Sequence, residues 1–165
     1  METVIEVERV EREMTPYELE RGKPVPDAKH AAVQMTLGAE LVVRYRQQYR
    51  VYSELSLDTQ PKGTTPDLAI YPMVAVDFQA PVPARRADPP LCCIEIQSAS
   101  QGTEEMIEKV KTYFAFGVKS CWLVQPLLQG IFVFDQPHHY EFYHGDDTLR
   151  DEILGIELPV AAAFA

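Results

Sequence analysis

Cysteine, positive charge and long apolar runs are all scarce in this 165-residue sequence, and each scarcity excludes something. The three cysteines, Cys92, Cys93 and Cys121, are odd in number and form no CxxC pair, which excludes a disulfide framework and a zinc knuckle and predicts buried thiols in a reducing compartment. Lys and Arg total 15 against 25 Asp and Glu, a net charge of -10. Phosphate neutralisation supplies most non-specific affinity for nucleic acid, so this balance argues against tight, unaided DNA binding and suits a soluble surface. No apolar run approaches the roughly 18 residues of a membrane span, and the acidic Met1 to Glu13 is no signal peptide. The expectation is a cytoplasmic protein with no membrane association. Internal repeats and low-complexity segments are absent as well.

What is present is an ordinary globular composition, 46% hydrophobic and 24% charged, in a length that suits one sheet and its covering helices. The sequence divides into an acidic N-terminal arm over 1–14 and a single domain over 15–165. The arm alternates acids with Val4, Ile5, Val7 and Val10, a pattern open to an edge strand or to a partly ordered arm docking on a partner. Thr15-Pro16-Tyr17-Glu18 starts a brief helix, with Thr15 as cap and Pro16 at the first helical position. A longer helix opens at Asp27 or Lys29 and runs to about Tyr49, its core stripe made of Val33, Leu37 and Leu41. His30 begins that stripe, which places it at the sheet-facing edge of the first turn as a packed, hydrogen-bonded residue.

Arg50 to Leu57 alternates as a strand, and Asp67 to Val76 is the next strand region, interrupted at Pro72. Asp77 to Asp88 is a Pro- and Arg-containing loop, expected to be mobile. Leu91 to Gln97 reads as a buried strand, Thr103 to Phe116 as a helix and Cys121 to Gln125 as another strand. Ile131 to Asp135 and Tyr140 to Tyr143 form a hairpin around Gln136-Pro137-His138, which leaves His138 and His139 in a solvated turn. Asp151 to Ala165 closes the chain with a strand and an apolar end.

One residue breaks the pattern. Glu95 sits among Leu91, Ile94 and Ile96, where a buried carboxylate costs several kcal/mol unless a cation, a metal ion or a raised pKa meets it. The following helix offers lysines, and Pro66-Asp67 offers a second carboxylate beside the strand Leu68-Ala69-Ile70-Tyr71.

An acid after a proline, an acid-x-polar pair on a strand and then a lysine resemble the PD-(D/E)xK nucleases, a divalent-metal phosphodiesterase superfamily. More narrowly, Pro66 to Pro72, Pro89-Pro90-Leu91, Ile94 to Gln101, Lys109 with Tyr113-Phe114, and Gly117 to Pro126 resemble the Uma-two family of bacterial restriction-endonuclease-like proteins, over Tyr17 to Phe164. The resemblance implies an α/β (α+β) fold with a mixed central sheet flanked by helices. It also implies a Mg2+- or Mn2+-dependent DNA endonuclease, often acting as a homodimer. The expected dimer contact is the exposed apolar tail Ala161 to Ala165 together with Met1 to Val10.

In that reading Asp67, Glu95 and the backbone carbonyl of Ile96 hold the metal, and Gln97 orients water or phosphate. The catalytic lysine maps by resemblance to Lys109. Helical geometry leaves Lys109 and Lys111 flanking the stripe of Met106, Val110, Tyr113 and Phe114 equally, and an i,i+4 pair with Glu105 is the plain alternative for Lys109. Where the family carries Ser-Pro-Ser, this chain has Ser98-Ala99-Ser100, which loses a rigid φ but no ligand. Glu54 is open to two roles, a third acid of the metal shell or a partner for Arg44 or Arg50, and His30 is a supporting residue. The competing class is a catalytically silent domain used for binding, assembly or regulation. A cysteine hydrolase built on Cys92 or Cys121 with His30 lacks a spacing pattern.

Overall fold

The computed structural model describes residues 13, 16 and 26–165. The expected N-terminal arm and, apart from Pro16, the expected helix start at Thr15 lie outside the described residues. The first described helix, α1, runs over Ala28–Tyr45, and Asp27 caps it by accepting the His30 amide at 2.8 Å. Its buried stripe is His30, Val33, Leu37 and Leu41. The helix ends at Tyr45 rather than near Tyr49, because Tyr49 is already the first residue paired in the sheet.

Strand β1 covers Tyr49–Ser53, shorter than the alternation over Arg50 to Leu57 implied. Glu54 adopts φ 52, a left-handed turn that ends the strand. Leu57 is still buried, but through isolated bridges to Thr64 and Arg86 rather than through a ladder. The remaining elements are β2 (Leu68–Pro72), β3 (Cys92–Ile96), α2 (Thr103–Phe116), β4 (Ser120–Gln125), β5 (Gly130–Gln136), β6 (His139–His144), β7 (Thr148–Asp151), β8 (Ile156–Pro159) and the short α3 (Val160–Ala163). Helix α2 stops at Gly117, whose φ of 113 lets its amide turn back onto the Tyr113 and Phe114 carbonyls.

Six strands form one mixed sheet in the order β1 to β6. All neighbours are antiparallel except β3 and β4, whose parallel pairing is made by the crossover through α2. Alternation on β3 then sorts the layers. Cys92, Ile94 and Ile96 pack with α1, while Cys93 packs with Met106, Val110 and Tyr113 of α2.

Strands β7 and β8 form a small second sheet, where the sequence implies one terminal strand within Asp151 to Ala165. It is tied to the main sheet by Asp151, buried and accepting from the Ser120 hydroxyl, from Trp122 Nε1 at 2.8 Å and from the amides of Ile153 and Leu154 at 3.1 Å each. The apolar tail is not the exposed contact expected of it. Val160 and Ala163 are buried in the α1 core, because α3 folds back on that helix and covers its apolar side.

The connection over 73–91 holds no regular element, and its second half is pinned. Arg86 lies 4.0 Å over the Tyr71 ring, forks onto Asp88 at 3.0 and 2.7 Å, and donates its amide to Ser56 O. That fork holds the Asp88 carboxyl below the usual carboxylate range.

All three cysteines are free and buried, and burial pushes each thiol up. A thiol-reactive dye is therefore expected to label none of them in the native protein and all three in urea, read as absorbance against time. Rapid native labelling would contradict the packing described.

Candidate active site

The site lies at one end of the sheet, where β2 begins and β3 ends. Pro66 precedes the strand, and the Leu68↔Ile94 register, continued by one residue, sets Asp67 beside Glu95. Asp67 is buried at 1% exposure. Its Oδ2 accepts from the Ile96 amide at 2.7 Å and lies 3.1 Å from His30 Nε2. Its main-chain carbonyl accepts from Gln34 Nε2 and from the Glu54 amide, each at 3.1 Å. Asp67 is thus fixed from the α1 layer and from the plane of the sheet. His30 is the packed, hydrogen-bonded residue expected, and its buried Nδ1 has no hydrogen-bond partner among the described residues.

Glu95 is 3% exposed and is held from the other layer. Tyr113 donates its hydroxyl to Glu95 Oε1, and Lys109 Nζ stands 3.7 Å from Oε2. This settles where the two flanking lysines go: Lys109 turns inward, whereas Lys111 pairs with Glu108 at 3.1 Å on the outer face. Glu105, the alternative partner for Lys109, instead accepts from Gln101 Nε2 at 3.4 Å. The cost of burying Glu95 among apolar side chains is offset by an ammonium and a hydroxyl from successive turns of one helix.

Gln97 stands just past β3 in a chain of amides. Gln125 Nε2 donates to Gln97 Oε1 at 2.8 Å, and Gln97 Nε2 donates to Gln101 O at 3.0 Å. These glutamines open onto a cleft of about 530 Å³ that Lys29, Leu127 and Leu128 also line. Glu54 is exposed beside the turn, Arg44 pairs with Glu40 at 2.8 Å, and Arg50 bonds to Val74 O. His139 pairs with Asp135 at 2.6 Å in the exposed hairpin, away from the acids. Cys92 and Cys121 are sealed in the sheet with thiols pushed up by burial, which removes the cysteine-hydrolase reading.

Sequence reasoning missed two participants. Tyr113 was visible as a member of the α2 core stripe and as the partner of Lys109 in the family motif, and Gln125 within the motif Gly117 to Pro126, but neither was given a role. The spacing of four puts Tyr113 and Lys109 on the same helix face.

A family profile described as "Putative restriction endonuclease", Uma2, matches residues 4–161, a span that takes in Asp67, Glu95 and Lys109. The chain belongs to the Uma2 family. A crystal structure described as a "putative nuclease belonging to DUF820", from Anabaena variabilis, aligns with a TM-score of 0.71 at 21% identity, covering 86% of this chain and 83% of that chain. At that identity the likeness establishes a shared fold. Among curated proteins there is no match. The Uma2 match covers the whole six-stranded sheet and both long helices. Among the described residues of this Uma2 chain, no helix is long and apolar enough to cross a membrane, and no group of three or more His, Cys, Asp or Glu side chains could hold a metal ion.

Proposed function

We propose that this Uma2 chain is a divalent-metal-dependent DNA endonuclease, with Asp67, Glu95 and the Ile96 carbonyl as protein ligands and Lys109 as the catalytic cation. The observation that carries the proposal is the inward turn of Lys109 onto Glu95, at 3.7 Å, while its neighbour Lys111 faces out. A buried acid and a lysine arriving from different elements are what phosphodiester hydrolysis asks for.

The residues fit Mg2+ or Mn2+. Two carboxylates and one peptide carbonyl are hard oxygen donors, and magnesium takes one or two carboxylates with water and phosphate completing its shell. Asp67 is fastened to the amide of Ile96, the residue after Glu95, which ties the first acid to the strand that carries the second. Bound there, the cation supplies Lewis-acid polarisation of the phosphate and a more acidic water. The chain does the rest. His30 holds one oxygen of Asp67, Lys109 faces the charge that builds on the phosphate, and Gln97 offers its remaining amide N–H to water or phosphate while Gln125 and Gln101 fix its plane.

A silent binding or regulatory module is the second reading, and three observations favour it. Asp67 Oδ2 is already occupied by the Ile96 amide, the two acids are steadied from opposite layers, and the net charge is -10. A plasmid-nicking assay with Mg2+ and Mn2+, run on the wild type and on Lys109→Ala, tests the proposal. Nicking is expected in the wild type and at roughly a hundredth of that rate in the variant. Undiminished activity in Lys109→Ala would move the catalytic cation elsewhere; an inert wild type that binds no Mg2+ would leave the silent module.

A further inference from the structure

We infer that Tyr113 is a positioning residue for the nuclease site, holding one oxygen of Glu95 so that the other stays turned toward Lys109 and the cation. The inference rests on the metal-dependent reading above and deepens it. Tyr113 and Lys109 are four apart on α2 and so project from one face. Each takes a different oxygen of the same carboxylate, Tyr113 by donating to Oε1 and Lys109 by standing 3.7 Å from Oε2. A glutamate side chain on a strand has three rotatable bonds, and two contacts from a rigid helix fix the plane of its carboxylate.

The hydroxyl is placed to donate and to do nothing else. The ring is 1% exposed and packed among the α2-face core with Met106, Val110 and Cys121. Its one proton goes to Glu95 Oε1, so the ring brings a donor to the acid from a fixed place in the core.

Tyr113→Phe removes only the hydroxyl. Mn2+ binding followed by paramagnetic resonance, plasmid nicking with separate kcat and KM, and thermal melting are measured on the full chain. The expected result is a melting temperature near that of the wild type, Mn2+ affinity weakened about tenfold, kcat lowered by a similar factor and KM for DNA unchanged. A residue that only packs the core would move the melting temperature and leave that split alone. Mn2+ affinity and kcat within about twofold of the wild type, in a folded variant, overturn the inference while leaving the nuclease reading in place. A wild type that neither binds Mn2+ nor nicks DNA overturns that reading, and the role of Tyr113 with it. If Tyr113→Phe does not fold, Tyr113→Met fills the same core position without a hydroxyl. The same split is then expected, and unchanged Mn2+ affinity overturns the inference.

Discussion

Glu95→Gln is expected to abolish Mn2+ binding and to lower nicking by at least roughly a thousandfold, while leaving the protein folded. The amide copies the shape of the carboxylate and keeps an oxygen that accepts the Tyr113 hydroxyl, while its NH2 takes the place of Oε2 opposite Lys109. What goes is the negative charge, which supplies most of a carboxylate's affinity for a hard cation. Lys109 loses its partner, a cost that its 20% exposure limits by letting water reach the ammonium. Against this stands the cost of keeping a carboxylate at 3% exposure, which the substitution relieves. Thermal melting is therefore expected to show a protein about as stable as the wild type and far less active. A large fall in melting temperature with no change in metal binding would make Glu95 a structural acid and favour the silent module.

The second large effect is on stability. Asp151→Ala is expected to cost about 3–5 kcal/mol, because four donors converge on that carboxylate and three of them, Trp122 Nε1 and the amides of Ile153 and Leu154, have no freedom to turn elsewhere. For a chain of this length that corresponds to a fall in melting temperature of roughly 10–15 °C, read by circular dichroism or calorimetry. Asp151 meets Ser120 at the start of β4, whereas Glu95 pairs with Leu123 further along the strand. Nicking by the folded fraction below the transition should accordingly stay near the wild-type rate. A shift of less than about 3 °C would mean that water replaces the lost acceptor and that the second sheet is held by its apolar side chains alone.

Much of this was legible in the residues, and the reasons differ from element to element. Helix α2 was read to its end residues because a periodic apolar stripe closes on Gly117, which the left-handed cap requires. Glu95 was legible because an acid inside an apolar strand violates local patterning, and Asp67 because it follows a proline at the mouth of the next strand. Asp151 was not, since Asp151-Glu152 looks like any exposed acidic pair until the turn to Leu154 folds two amides back onto it. Strand β1 was overextended because nothing in Glu54 announces a positive φ; the turn is imposed from outside, its amide meeting the Asp67 carbonyl. The small sheet was missed because Thr148–Asp151 and Ile156–Pro159 each present only alternate buried residues, too few for a pattern. The choice between Lys109 and Lys111 was beyond helical geometry altogether, since it depends on which flank faces the end of β3.

The irregular connection over 73–91 separates the strand that follows Asp67 from the strand that carries Glu95. Each acid consequently belongs to its own stretch of chain, the first with α1 and His30, the second with Lys109, Tyr113 and the amide file. A single backbone nick in that span would leave the two proposed ligands on separate polypeptides, joined only by the pairing of β2 with β3.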